Sequence, residues 1–222
     1  MNKKYLLLVL TTIALYSTSS AQVFIGGRLG GGYYRRPGHQ RRVQRPQQDL
    51  PKFQPAVYVT VGYGFPNLDN QQLPVYYNYY NGTVSQKGPV TGSVDYRFNR
   101  SMSIGLMVTH GTVNMPYYDY NDPSTPVMRG SLNNWSYMLN FVRYMPASKN
   151  VTAYLRTAIG INSWVQDFTD ASGNKINPPA VPSDLAYQVA LGARFYLSKN
   201  AGLFVEAGYG KYILHGGVSF KF

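Results

Sequence analysis

The sequence predicts an all-β fold in which eight antiparallel strands close into an up-and-down barrel that crosses a membrane. Apolar residues alternate with polar or small ones in segments of roughly 10 residues, the length of a tilted strand that crosses a bilayer. Short and long connections alternate along the chain. The chain of 222 residues is 44% hydrophobic and holds 21 Tyr and 22 Gly, yet its mean hydropathy is only -0.26. Strands that are apolar on only one face are consistent with this low mean hydropathy. Several membrane helices would give a much higher value.

Residues 1–21 are predicted to be a cleaved signal peptide. Lys3 and Lys4 form a charged start, an apolar stretch covers 5–16, and Ser19, Ser20 and Ala21 supply small residues before a cut at Gln22. A membrane helix is the alternative, but the apolar run is too short for one. We therefore expect an exported protein.

Residues 22–53 are predicted to form a flexible, basic periplasmic tail. The segment is rich in Gly, Arg and Pro and has too few apolar side chains to offset its ordering entropy. Its arginines suit an anionic envelope polymer, and a solvated linker is the alternative; export disfavours nucleic acid as a partner. They are Arg28, Arg35, Arg36, Arg41, Arg42 and Arg45.

The barrel is predicted over residues 54–222. Its strands are expected at 56–65, 90–98, 102–109, 134–141, 151–162, 185–196, 203–209 and 212–222. Long polar loops are expected at 66–87, 110–131 and 164–183, and short turns at 99–101, 145–150 and 198–201. Short turns lie on the periplasmic side of such barrels, so both ends of the barrel should face the periplasm.

Aromatic residues on the predicted outward faces form two groups, which is typical of the two bilayer interfaces. The group near the outer rim is Tyr63, Phe65, Trp135, Tyr137, Tyr187 and Tyr209. The group near the periplasmic rim is Tyr96, Phe98, Phe195, Phe220 and Phe222. A soluble barrel would instead carry its charges outside.

With this pattern, residues 54–222 resemble the small eight-stranded outer-membrane barrels of the OmpA/OmpX type. Gly216, Val218, Phe220 and Phe222 are similar to the terminal signal that the barrel-assembly machinery recognises in such proteins. The resemblance implies a Gram-negative outer membrane, with its lipid and lipopolysaccharide as surroundings and that machinery as a partner during biogenesis. It rests on this pattern and on the aromatic last strand, and not on a catalytic signature. We expect a non-enzymatic role: structural, in envelope integrity, or in surface recognition.

Six charged residues point inward and are predicted to form an ion network inside the barrel. A barrel of eight strands is narrow enough to be filled by side chains, and buried charges need partners. We expect the lumen to be plugged; a narrow channel for ions or small solutes is the alternative. The six residues are Asp95, Arg97, Arg156, Arg194, Glu206 and Lys221, and His215 is a further candidate partner of Glu206.

An enzyme that modifies lipid A is a weaker alternative. His110 has Thr109 and Thr112 nearby in sequence, with Asp119 and Asp122 in the same predicted loop. A hydrolase needs a nucleophile and a base that a third group orients, and no known sequence motif with the required spacing is present. We therefore assign no catalytic residue. We also expect no cofactor and no metal, and the absence of Cys removes thiolate ligands.

Seven tyrosines cluster in the first two predicted loops and are candidates for surface recognition. Tyrosine offers a flat apolar face and a hydroxyl, which suits sugars or protein surfaces. Packing among themselves is the alternative. They are Tyr76, Tyr77, Tyr79, Tyr80, Tyr117, Tyr118 and Tyr120.

Overall fold

A computed structural model describes residues 53–145, 150–178 and 182–222. The predicted signal peptide and nearly all of the predicted tail, including its six arginines, lie outside these residues. Among the described residues, no helix is long and apolar enough to cross a membrane.

The described chain is built from nine β-strands and one short 3-10 helix. The strands are β1 (Ala56–Asn67), β2 (Tyr79–Asn81), β3 (Ser85–Arg97), β4 (Met102–Asp119), β5 (Pro126–Tyr144), β6 (Val151–Asp170), β7 (Leu185–Tyr196), β8 (Ala201–Tyr209) and β9 (Tyr212–Lys221). The helix, Leu68–Gln72, follows β1 directly. Its start is capped by Asn67, whose side chain accepts a hydrogen bond from the Asp69 amide.

Eight of these strands close into an antiparallel barrel. From β3 to β9 each strand pairs with the next, and β1 closes the ring by pairing with both β3 and β9. The one strand outside this ring, β2, pairs through only three residues with the far end of β4. The predicted eight-stranded barrel is therefore confirmed, with one short strand added.

One predicted long loop, 110–131, is mostly strand, and another, 164–183, is strand as far as Asp170, so the loop prediction was wrong over these parts. β4 and β5 pair from Met102↔Arg143 to Tyr118↔Pro126, with one register shift between Tyr117 and Tyr118, so their connection is only 120–125. β6 likewise continues to Asp170 beside β5. Asn, Ser and Pro made these segments look like loops, but their inward positions remain apolar and have a surface to pack against. We call this region, 111–119, 126–134 and 163–170 together with β2, the projecting sheet.

Candidate functional site

The outside of the barrel carries the predicted aromatic residues. All eleven lie on the outward face, and all but Tyr187, which is half-buried, are well exposed. On β5 the outward positions between Asn133 and Arg143 are Trp135, Tyr137, Leu139 and Phe141. The ten residue steps from Asn133 to Arg143 span about 33 Å along the strand, or about 25 Å of height at a tilt of roughly 40°.

That height matches the apolar band of a membrane barrel. A surface so rich in exposed Val, Leu, Ile and aromatic side chains would be unfavourable in water. The barrel is a transmembrane β-barrel.

A buried ion network fills the middle of the barrel. Arg156 is the central cation: its Nε donates to Glu206 Oε1 at 2.8 Å, and one of its terminal nitrogens lies 3.7 Å from Asp95 Oδ2. Nδ1 of His215 lies 3.1 Å from Glu206 Oε2. The structure thus brings together three of the six predicted residues, with His215.

Two hydroxyls complete the surroundings of Glu206. Tyr154 donates to Oε1 and Tyr212 donates to Oε2, each at 2.8 Å. Asn140 donates from its amide to Asp95. Sequence reasoning missed these neutral donors, since only their inward positions, and no charge, could have indicated them.

The other three predicted network residues form no salt bridge with Asp95 or Glu206 among the described residues. Arg194 stacks over Tyr58, with its guanidinium carbon 4.3 Å from the ring centroid. Arg97 stacks over Tyr144 at 4.1 Å, near the rim. Lys221 lines a cavity at that rim. The two carboxylates in this half of the interior already face Arg156 and His215, so the remaining cations lie on aromatic faces or at the opening.

A second polar cluster closes the barrel interior toward the long loops. The ammonium of Lys211 contacts Asp69 of the 3-10 helix and lies 3.1 Å from Asn162 Oδ1. Asn134 donates to the other oxygen of Asp69 at 3.1 Å. The pair joins positions 142 residues apart, both in predicted connections, and no local pattern could have indicated it.

The inner face of the projecting sheet is apolar and covered by the first loop. Its buried cluster comprises Leu73, Val113, Met115, Tyr117, Met128, Leu132 and Phe168. Tyr76, Tyr79 and Val84 from the loop pack against this cluster. The loop therefore folds over the opening and fixes the sheet.

The seven candidate tyrosines divide between the two faces of this region. Tyr117 is fully buried, donates to the Pro74 carbonyl at 2.9 Å and meets the ring of Tyr76 edge-on at 5.0 Å. Tyr77, in contrast, is 97% exposed and Tyr120 64% exposed. Tyr80 stacks on Tyr118 at 5.2 Å and lies 5.9 Å from Tyr120.

A groove of about 410 Å³ runs beside that stack, on the outward face of the projecting sheet. Tyr118 and Pro116 form apolar parts of its wall, and Asn114, Ser131 and Arg129 contribute polar groups. An aromatic face next to amide, hydroxyl and guanidinium donors can hold a sugar ring.

Ionisable groups of the projecting region respond to burial and to local hydrogen bonds. Burial raises the pKa of Tyr117 and, less strongly, that of Tyr76, so both stay neutral. Hydrogen bonds from Ser124 lower the pKa of Asp122, and hydrogen bonds from Asn174 lower that of Asp170. The long-loop end of the barrel therefore carries fixed negative charges at neutral pH.

His110, the candidate of the enzyme hypothesis, lies on the outward face of the barrel near the long-loop rim. Its ring stacks on Trp135 at 4.2 Å, and its Nδ1 lies 3.2 Å from the carbonyl oxygen of Asn134. These two contacts thus hold the rings of His110 and Trp135 together on the barrel surface. In the described part of the chain, no group of three or more His, Asp or Glu could hold a metal ion.

Comparison with known proteins gives likeness of overall form only. No family model and no curated protein matches the chain. Among solved structures, Ail, the attachment invasion locus protein of Yersinia pestis, crystallised with the heparin analogue sucrose octasulfate, is similar at a TM-score of 0.41 and 13% identity, over 76% of this chain and 97% of that chain. A second Ail structure gives 0.38 and 12%, with the same coverage.

A de novo designed transmembrane β-barrel gives a TM-score of 0.39 and 19% identity, over 76% of this chain and 94% of that chain. The transmembrane barrel is evident from this chain's own strand pairing and exposed apolar surface.

Proposed function

We propose that this chain is an integral outer-membrane protein of the OmpA/OmpX type, with a non-enzymatic role in recognition at the cell surface. The apolar belt with aromatic residues at both rims supports the membrane location. Export through a signal peptide would lead a β-barrel to the outer membrane, and the short turns would then face the periplasm. Lipid and lipopolysaccharide surround the belt.

We propose that the lumen is closed and does not conduct. The buried network around Arg156 occupies the middle of the barrel. The 3-10 helix and the pair of Asp69 and Lys211 close the end toward the long loops. Opening a path would require separating buried charges, which costs several kcal/mol.

The observation that carries the recognition role is the projecting sheet, because it holds a half-buried tyrosine stack beside the exposed Tyr120 on a rigid support. Tyr80 and Tyr118 lie stacked beside the groove that contains Arg129. The apolar cluster behind the sheet fixes their positions, so little entropy is lost on binding. A glycan that carries an acidic sugar suits an aromatic face next to a guanidinium.

The test is adhesion of cells that display the protein to surfaces coated with a uronic-acid polysaccharide (alginate) or a neutral one (dextran). We expect binding to alginate, and the triple variant Tyr80→Ser, Tyr118→Ser, Tyr120→Ser should reduce it by about tenfold, since each aromatic contact contributes roughly 0.5–1.5 kcal/mol. Tyr96→Ser, an exposed tyrosine of the opposite rim, serves as the control. Unchanged adhesion of a folded triple variant would contradict the recognition role.

A lipid A-modifying activity is the alternative, and we do not favour it. The contacts of His110 are with an indole ring and a backbone carbonyl. A hydrolase needs a nucleophile within reach of a base that a third group orients. His110 is therefore better explained as an interfacial residue that stacks with Trp135.

A further inference from the structure

The two ends of the barrel carry different charges. At the short-turn end every charged side chain among the described residues is basic: Arg97, Arg100, Arg143, Lys199 and Lys221. The acidic residues of 53–222 lie elsewhere, with Asp95 and Glu206 inside the barrel and six others at the long-loop end. Such a separation gives the short-turn end a positive potential that attracts anions.

This end also has a cavity, at the opening of the barrel. It measures about 440 Å³, and three of its lining residues, Arg97, Arg100 and Lys221, are basic while none is acidic. Phe53 and Tyr58 supply aromatic walls. The volume falls in the range of small-molecule sites, which take an organic ligand and not only a bare ion.

Several contacts fix the position of the Arg97 side chain at this opening. Its Nε donates to the Asn99 carbonyl at 3.2 Å, and a terminal nitrogen lies 3.5 Å from the Tyr58 hydroxyl. The guanidinium also rests on the ring of Tyr144. A cation that is already ordered loses little side-chain entropy when it binds an anion.

A further positive charge lies behind Tyr58. Arg194 is only 1% exposed, and its guanidinium carbon is 4.3 Å from the centroid of that ring. Arg194 forms no salt bridge among the described residues, and its hydrogen-bond partner is the neutral hydroxyl of Tyr196. In the low dielectric of the interior, its charge strengthens the attraction of an anion to the cavity.

We propose that this opening is a binding site for an organic phosphate. A phosphate monoester carries close to two negative charges, and the forked donors of arginine match its oxygens. Arg97, Arg100 and Lys221 bind the phosphate, while Phe53 and Tyr58 contact the organic body. The ligand is either a soluble sugar or polyol phosphate or a phospholipid headgroup. This site is at the opposite end from the projecting sheet and does not depend on the recognition role.

The test is calorimetric titration of the full folded chain in maltoside micelles with glycerol 3-phosphate at low ionic strength, and in phosphatidylcholine nanodiscs with and without phosphatidic acid. Lys221→Gln and Arg97→Gln should each raise the dissociation constant about tenfold, since a charge-assisted hydrogen bond is lost. Lys199→Gln, at the same end but outside the cavity, should change it less than twofold. Heat-modifiable migration in gels checks that each variant is folded.

The two arms separate the possible sources of the phosphate. Binding of glycerol 3-phosphate in micelles supports a soluble ligand, and binding seen only with phosphatidic acid supports a lipid headgroup. No binding in either arm would overturn the proposal. So would equal losses in Lys221→Gln and Lys199→Gln, or a loss that follows Arg35→Gln with Arg36→Gln in the tail, because either result points to diffuse attraction.

Discussion

Glu206 shows how single residues hold the interior together. Its two oxygens meet Arg156, His215 and the hydroxyls of Tyr154 and Tyr212, all within 3.1 Å. A buried charge pair is weak evidence for net stability, but breaking one leaves its partner uncompensated. The position is therefore more sensitive to substitution than its single charge indicates.

We expect Glu206→Gln to destabilise the folded barrel by about 3–5 kcal/mol, because Arg156 would remain buried without a full counter-charge. The measurement is urea unfolding in detergent micelles. The control is Asp167→Asn, since Asp167 and Lys175 form an exposed pair at 3.9 Å; it should cost less than about 1 kcal/mol. Equal effects of the two variants would show that the network does not stabilise the barrel.

Among the elements, the first loop depends on one long-range contact. The 3-10 helix Leu68–Gln72 has five residues and cannot be stable alone. It is fixed by Asp69 against Lys211 and by the apolar packing of Leu73. The loop should therefore open locally when the ion pair is removed, while the barrel strands stay paired.

We expect Lys211→Met to speed amide hydrogen exchange across residues 68–84 by tenfold or more, because Asp69 would lose its buried counter-charge. Mass spectrometry of exchange in micelles measures this change. Lys175→Met, at an exposed lysine of the same end of the barrel, should leave exchange in the loop unchanged. Faster exchange in β1 and β9 as well would mean that the pair holds the barrel and not the loop.

Long strands were the element most easily missed. The alternation of Val113, Met115 and Tyr117 continues the inward face of β4 without a break. Asn114 and Pro116 lie between them and made the segment look like a loop. A strand with one polar face needs only one apolar face to pack, and the cluster with Leu73 provides that packing.

At the scale of the whole molecule, the orientation in the membrane links both proposals. The turn after β6 includes Gly173, which has a φ of 83° and open space around it. The turn between β7 and β8 lies at the opposite end of the barrel. If short turns face the periplasm, only the first of these turns is reachable from outside the cell.

An epitope tag inserted between Ser172 and Gly173 should therefore be labelled by antibody on intact cells. A tag between Lys199 and Asn200 should be labelled only after the outer membrane is permeabilised. Both sites are exposed turns, so neither insertion should disturb strand pairing. Labelling of the second tag on intact cells would reverse the orientation and place the basic opening outside.

The sequence by itself determined the barrel. Alternation with a period of two fixes which side chains face outward, and a one-residue slip would place the whole set on the wrong side, so the pattern is strongly constrained. For this reason the eight strands and the outward aromatic residues could be predicted. The pairing of Glu206 with His215 also followed, because these neighbouring strands place them opposite each other.

Only the tertiary structure decided which interior charges meet. Asp69 and Lys211 are distant in sequence and join through the fold of the first loop. Arg97 and Lys221 face inward as predicted, yet their height along the barrel axis places them at its opening. The alternation of side chains along a strand specifies whether a residue faces inward or outward. It does not specify the height of that residue along the barrel axis, since height depends on the stagger between strands.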